Sequence, residues 1–210
     1  MTTTTEATAE SAMTLRERQA EQVRDAVLDA VVTELETRPA DDISMGEVAT
    51  AAGISLRTLY RYFPDRATLL HAAGERLSEA LGLPHEIATA SDISASFLDA
   101  AQRLARRPAL TRALVQTTAG RTARSGARRR RVAAIETALA PVTADLDPAR
   151  AREAVAVITH LCSAASWVGI TDETDLDDPA AQRAVAWAID ALVGTLQREQ
   201  RAARRSASKP

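Results

Sequence analysis

The sequence predicts an all-α protein of about nine helices. Three observations carry this. The composition is rich in alanine, with only 8 glycines and 8 prolines in 210 residues, which favours helix on propensity. Apolar residues recur at three- and four-residue spacing along most of the chain, and no run alternates in the way a half-buried strand would. Hydrophobic residues make up 46% and charged residues 26%, the balance of an ordinary globular chain.

The elements follow in order. Residues 1–14 are Thr, Ala and Glu without apolar period and read as a disordered tail. A helix starts at Leu15 and carries Val23, Val27, Val31 and Leu35 on one face. Pro39 ends it, because the residue before a proline is pushed out of the α region. Ser44 and Glu47 have the spacing of a capping box, which opens a short helix. Gly53 closes that helix, since it takes a left-handed conformation at little cost. Ser55 caps the next helix, Pro64 stops it, and Asp65 caps a fourth with Leu69, Leu70, Ala73 and Leu77. Residues 44–62 thus read as helix, glycine turn, helix, with a longer helix on either side.

Beyond "GLPHE" (82–86) the helices are more apolar. Ile93, Phe97, Ala101 and Leu104 mark one. Pro108 begins another at the position where its missing N–H costs nothing. "RTARSGARRRR" (121–131) leads into Val132, Ile135 and Leu139. "DLDP" (145–148) starts a long helix reaching about Ile170. "TDETDLDDP" (171–179) reads as an acidic loop, and a last helix runs from Ala180 to about Arg204, with 206–210 a frayed end.

The segment "GISLRTLYRYFP" (53–64) holds three of the six aromatic residues of the chain. On a helix Leu59 and Phe63 face one way, with Ile54, toward a small core. Tyr60 and Tyr62 lie about 200° apart, so at least one ring sits at the surface. Arg57, Thr58 and Arg61 fall on other faces. A surface tyrosine beside arginine suits phosphate and sugar contact. The Arg57 fork matches the O6 and N7 of guanine in a major groove. Ser55 adds a donor at the helix start, and Arg66 stands where it can clamp a backbone. The competing reading is a mini-core with a solvated arginine face. The capping box, glycine turn and short polar-aromatic helix together outweigh it.

"MGEVATAAGISLRTLYRYFPDRATLL" closely resembles the signature of the TetR family of bacterial transcription regulators. Ala49, Gly53, Ile54, Ser55, Thr58, Leu59, Tyr60, Tyr62, Phe63, Arg66, Leu69 and Leu70 match its pattern. The resemblance covers roughly residues 20–75. It implies a homodimeric regulator with a helix-turn-helix domain at 15–64 and a ligand-binding and dimerisation domain at 65–205. Such a protein binds a palindromic double-stranded DNA operator and is released from it by a small-molecule effector. Carried onto this chain, Thr58, Tyr60 and Tyr62 become backbone and base-edge contacts and Ser44 a phosphate contact. Gly46 stands where members of the family often place a base-reading side chain, which shifts that role to Arg57 and Arg61. Arg66 replaces the usual lysine.

Charge sets a constraint on this reading. Residues 15–80 hold eight Arg against twelve Asp and Glu, a net of −4 from those counts. Arg57, Arg61 and Arg66 are therefore expected to share one face, with the acids on the others. Lys209 is the single lysine, so phosphate contact falls to arginine or neutral donors.

In the second domain, Leu161, Ala165, Val168, Trp187, Ile189, Leu192, Val193 and Leu196 are expected at a dimer interface, as a four-helix bundle of the last two helices from each subunit. Phe97, Leu104, Leu114, Val115, Thr118 and His160 are expected to line an effector cavity. Their mostly aliphatic character points to an apolar or amphipathic ligand. The basic run 121–131 reads as a solvated loop and helix start, with an acidic head group as the sharper alternative.

No catalytic residue, metal site or cofactor is expected. His160 and Cys162 lie about 200° apart on a helix, and no metal-ligand spacing, nucleophile elbow or phosphate loop is present. Cys162, the single cysteine, reads as a small buried hydrophobe in a reducing compartment. The N-terminus lacks the features of a signal peptide, and no apolar run reaches about 18 residues, so a cytoplasmic protein without a membrane span is expected. The rival class is a helical interaction module that does not bind DNA, which accounts for the apolar helices but not for "SLRTLYRYF".

Overall fold

The structure, a computed structural model, describes residues 14–37, 40–83 and 87–207. Within them lie eleven α-helices and no strand: α1 (Leu15–Thr37), α2 (Met45–Ala51), α3 (Leu56–Tyr62), α4 (Arg66–Ala80), α5 (Ile93–Ala105), α6 (Pro108–Gln116), α7 (Thr118–Ala123), α8 (Ser125–Thr143), α9 (Pro148–Leu161), α10 (Ala164–Glu173) and α11 (Asp178–Ala207). Short 3-10 turns at Ala40–Asp42 and Ala90–Asp92 precede α2 and α5. Residues 1–13 of the expected tail 1–14, the stop at Pro39, the "PHE" segment 84–86 and residues 208–210 lie outside the described residues.

The count exceeds the expected nine because one expected helix is broken in two and a short helix, α7, forms after the Pro108 helix. The anticipated single helix to Ile170 is α9 and α10, bent by 65°. At the break Ser163 is extended, with φ −102° and ψ 153°. Its hydroxyl donates to the His160 carbonyl at 2.7 Å, and the Ser166 hydroxyl donates to the Leu161 carbonyl at 2.6 Å. Carbonyls that the interrupted ladder leaves open are thus satisfied by side chains. Thr117, also extended, separates α6 from α7 and accepts the Gly120 N–H at 2.9 Å. The expected acidic loop is shorter than 171–179, because α10 reaches Glu173 and α11 begins at Asp178. Helix α11 also runs past Arg204 to Ala207. No single helix among the described residues is long and apolar enough to cross a membrane.

Two apolar cores organise the helices. The first joins α1–α4 to α6 and α7 through Val27, Val31, Leu59, Phe63, Leu69 and Leu110. The second joins α5 and α8–α11 through Phe97, Ile135, Leu139, Ile158, Trp167 and Ile189. Helix α4 packs against α1 on one side and against α7 and α8 on the other. Contact with α7 is so close that a Cβ on Gly74 would overlap the Ala123 carbonyl. A backbone carbonyl has no side-chain freedom with which to move aside, so only glycine fits there.

Substitution Gly74→Ala tests this packing. Alanine gains about 1 kcal/mol of helix propensity over glycine, yet overpacking a core costs typically about 1–3 kcal/mol. The overlap with backbone places this case at the costly end, so urea denaturation should show net destabilisation of about 1–2 kcal/mol. A variant as stable as the parent would contradict the close approach.

Candidate functional site

Helices α2 and α3 are joined by a turn fixed by backbone and side-chain hydrogen bonds. Ser44 caps α2: its Oγ accepts the Glu47 N–H, while the Glu47 carboxylate accepts the Ser44 N–H at 3.0 Å. At the other end Gly53 has φ 67°. Its N–H bonds the Thr50 carbonyl at 3.1 Å, and the Ile54 N–H bonds Ala49 at 2.9 Å. These are the paired bonds of a Schellman ending, which requires a left-handed residue at the glycine position. Ser55 then caps α3, accepting the Thr58 N–H at 3.1 Å.

The same turn aims α3. Leu59 and Phe63 are fully buried, and burial of such side chains stabilises by roughly 1.5–3 kcal/mol each. The Arg24 guanidinium of α1 lies 4.8 Å over the Phe63 ring, a cation–π contact that ties α1 to the end of α3. With Leu59 inward, Arg57, Tyr60 and Arg61 share the opposite arc of about 100°. All three are exposed, Tyr60 to 47%. Tyr62 is half-buried against the first core, with Arg61 stacked 5.0 Å from its ring. The two tyrosines therefore divide as their spacing requires.

Of the predicted contact residues, Ser44, Ser55, Thr58 and Arg66 have other partners. The Ser44 hydroxyl also bonds the Glu47 carboxylate, so it meets a phosphate only by exchanging that bond. The Thr58 hydroxyl lies 2.8 Å from Ser55 Oγ. Arg66 does not join the face of Arg57 and Arg61 as expected. Its guanidinium donates to the carbonyls of Ile43, at 2.8 Å, and Asp41, at 3.2 Å. It holds the segment before α2 against the start of α4. Asp65 caps α4 by accepting the Thr68 N–H at 2.7 Å, and that bond holds its carboxyl below the usual range.

A cavity of about 110 Å³ takes its wall from both cores. Phe97 and Leu104 from α5 and Leu114 and Val115 from α6 line it. Thr118 and His160 do not. Thr118 stands at the exposed start of α7, where its N–H donates to Asp41 at 3.3 Å. His160 lies on the exposed side of α9, one turn before the break at Ser163.

The wall also holds Ser78, Arg124, Arg131, Cys162 and Trp167. Of these, only the basic run, with Arg124 and Arg131, carries an expectation of ligand contact, as the alternative reading, and the sequence does not decide Trp167 between interface and pocket. The basic run is mostly helical: Arg121, Arg128 and Arg129 are exposed, as a solvated helix start requires, while Arg124 and Arg131 line the cavity. The run forms α7 and the start of α8, and burial lowers the pKa of Arg124 and of Arg131. The available signal was their seven-residue spacing, two turns of one helical face. Trp167 is 2% exposed. Packing around Cys162 raises its thiol pKa to about 12, against a smaller lowering by Arg131. Among the described residues no His, Cys, Asp and Glu cluster is placed to hold a metal ion.

The expected dimer stripe divides. Val168, Ile189, Val193 and Leu196 are buried in the second core of the same chain, because they fall on the inward side of α10 and α11. Leu161, Ala165 and Leu192 are half-exposed. Trp187 is exposed to 73%.

Residues 27–73 match the family model of bacterial regulatory proteins, tetR family. The chain is 36% identical over 59 residues to the HTH-type transcriptional repressor LfrR of Mycolicibacterium smegmatis, covering 28% of this chain and 30% of that one. It is 41% identical over 68 residues to an uncharacterized HTH-type transcriptional regulator of Mycobacterium tuberculosis, covering 32% and 34%. These matches span about a third of the relatives' length. In fold the similarity is wider. A TetR transcriptional regulator from Rhodococcus sp. RHA1 superposes with TM-score 0.53 at 19% identity, over 83% of this chain and 98% of that one. NalD of Pseudomonas aeruginosa, the secondary repressor of the MexAB-OprM multidrug efflux pump, gives 0.55 at 20% identity, over 81% and 95%.

The Cys162 environment makes a direct prediction. A pKa near 12 leaves on the order of a thousandfold less thiolate at pH 8 than an ordinary cysteine has. Reaction with a disulfide reagent should be correspondingly slow in the native protein and fast in urea. Equal rates would show the thiol to be open to solvent.

Proposed function

We propose that this chain, whose N-terminal helices are those of the tetR family of bacterial regulatory proteins, is a ligand-responsive transcriptional regulator. It acts as a homodimer on a palindromic DNA operator, as a repressor released by an apolar or amphipathic small molecule. The observation that carries this is the outward face of α3. It presents Arg57, Tyr60 and Arg61 on a helix whose other side is locked into the first core. Residues 15–64 serve DNA contact, and residues 65–205 serve the effector and the partner subunit.

Arg57 is the base reader in this proposal. It is exposed with no protein partner among the described residues, so its fork remains available to guanine O6 and N7. Arg61, stacked on Tyr62, is held more rigidly and serves a phosphate, with Tyr60 beside it. The cavity supports effector control because α4 supplies Gly74, Leu77 and Ser78 to its wall, and the same helix begins directly after α3. Dimerisation is assigned to the face around Trp187, where Ala184 and Ala191 lie one turn before and after it on the same side of α11.

A gel shift with DNA from upstream of the protein's own gene, at stepped salt, tests the first part. The parent should show a sequence-specific shift that weakens with salt. Arg57→Ala should relax specificity by about 1–3 kcal/mol at one base pair, whereas Tyr60→Phe should weaken all sequences alike. Uniform loss for Arg57→Ala would remove it as a base reader. For the second part, light scattering at micromolar concentration should show a dimer for the parent and a monomer for Trp187→Arg. A variant that stays dimeric would move the interface elsewhere.

A further inference from the structure

Most of the cavity wall is aliphatic and needs no polar partner, yet it also includes Ser78, Arg124, Arg131 and Trp167. In three of these wall residues a buried side-chain atom has no partner among the described residues: Ser78 Oγ, Arg131 Nε and Trp167 Nε1. Buried donors in native proteins are nearly always satisfied, so three on one wall call for an acceptor. Arg124 is also a wall residue, with its Nε on the Leu114 carbonyl at 2.8 Å. No Asp or Glu is among the wall residues.

We infer that the cavity binds an aliphatic carboxylate, its chain against Phe97, Leu104 and Leu114 and its head group on Arg131, Trp167 and Ser78. This rests on the effector reading above and narrows it to one class of ligand. A neutral acceptor would satisfy the indole and the hydroxyl, but it would leave a half-buried guanidinium without a counter-charge. A carboxylate answers both needs, because it accepts from all three donors and opposes the charge. The two arginines also repel each other across the wall, and an anion between them relieves this.

Titration calorimetry of the full chain without DNA tests the inference with octanoate, 1-octanol and octylamine, which share a chain length and differ in head group. Octanoate should bind roughly tenfold to a hundredfold more tightly than 1-octanol, the range of a charged hydrogen bond, and octylamine should not bind. Arg131→Leu should bring octanoate down to the level of 1-octanol. Trp167→Phe keeps an aromatic ring and loses the N–H, and should weaken octanoate more than 1-octanol. Equal binding of octanoate and 1-octanol to the parent would overturn the inference, whatever the variants do. So would an unchanged preference in a folded Arg131→Leu. A gel shift separates this from the regulatory reading. Octanoate that binds without altering DNA affinity supports the ligand class and removes the regulatory role. Release of DNA by 1-octanol alone keeps that role and overturns the carboxylate.

Discussion

Helix α4 belongs to both halves of the molecule, and Gly74 is what allows it to. The Ala123 carbonyl occupies the space that any side chain at position 74 would need. With that space taken, α4 lies flat against α7 while its other side packs on α1. The consequences reach both ends. The start of α4 is held by the Arg66 guanidinium on the Ile43 and Asp41 carbonyls. The Asp41 carboxylate in turn accepts the Ala119 N–H of α7 at 2.9 Å. The segment before α2, the start of α4 and the start of α7 are thereby one hydrogen-bonded unit. Further along, Leu77 and Ser78 form part of the cavity wall. A change in the cavity and a change in the placing of α3 therefore share one rigid element.

The charge pattern follows from the same economy. The first four helices carry a net negative charge, so a positive face must be made by placement and not by number. Several arginines are occupied inside the structure. Arg24 lies over Phe63. Arg66 holds carbonyls, and Arg76 pairs with Asp25 at 3.3 Å and Asp29 at 3.5 Å. Arg57 and Arg61 point outward on α3. Two groups of the same type thus do different work according to whether a partner lies within reach. In the second half, Arg130 pairs with Glu75, while Arg131, one residue on and about 100° round the helix, faces the cavity without a carboxylate.

Much of the first half was legible in the sequence because its signals are local. A capping box, a glycine turn and a serine cap act within four residues of their own backbone, and each is found where the spacing puts it. The inward turn of Leu59 and Phe63, and the outward turn of Tyr60, follow from 3.6-residue geometry once the helix is granted. The second half was less legible. Apolar stripes on α10 and α11 say that a face is buried but not against what. Val168, Ile189, Val193 and Leu196 meet their own chain, while Trp187 is exposed. The break between α9 and α10 was missed because alanine-rich flanks favour helix and mask two serines whose hydroxyls satisfy the open carbonyls.

By itself the sequence determined the helical class, the caps and turn that make the helix-turn-helix, and which residues of α3 face out. Those outcomes depend on neighbours within a turn or two of the chain. Only the tertiary structure decided the role of the basic run, the placing of Arg66 and the composition of the cavity. Arg131, Trp167, Ser78 and Leu104 come from four separate helices and share a wall only after both cores have formed. The reason is physical. Whether a guanidinium is solvated, paired or left facing an apolar cavity depends on which groups packing brings within a few ångströms, and no local pattern carries that information.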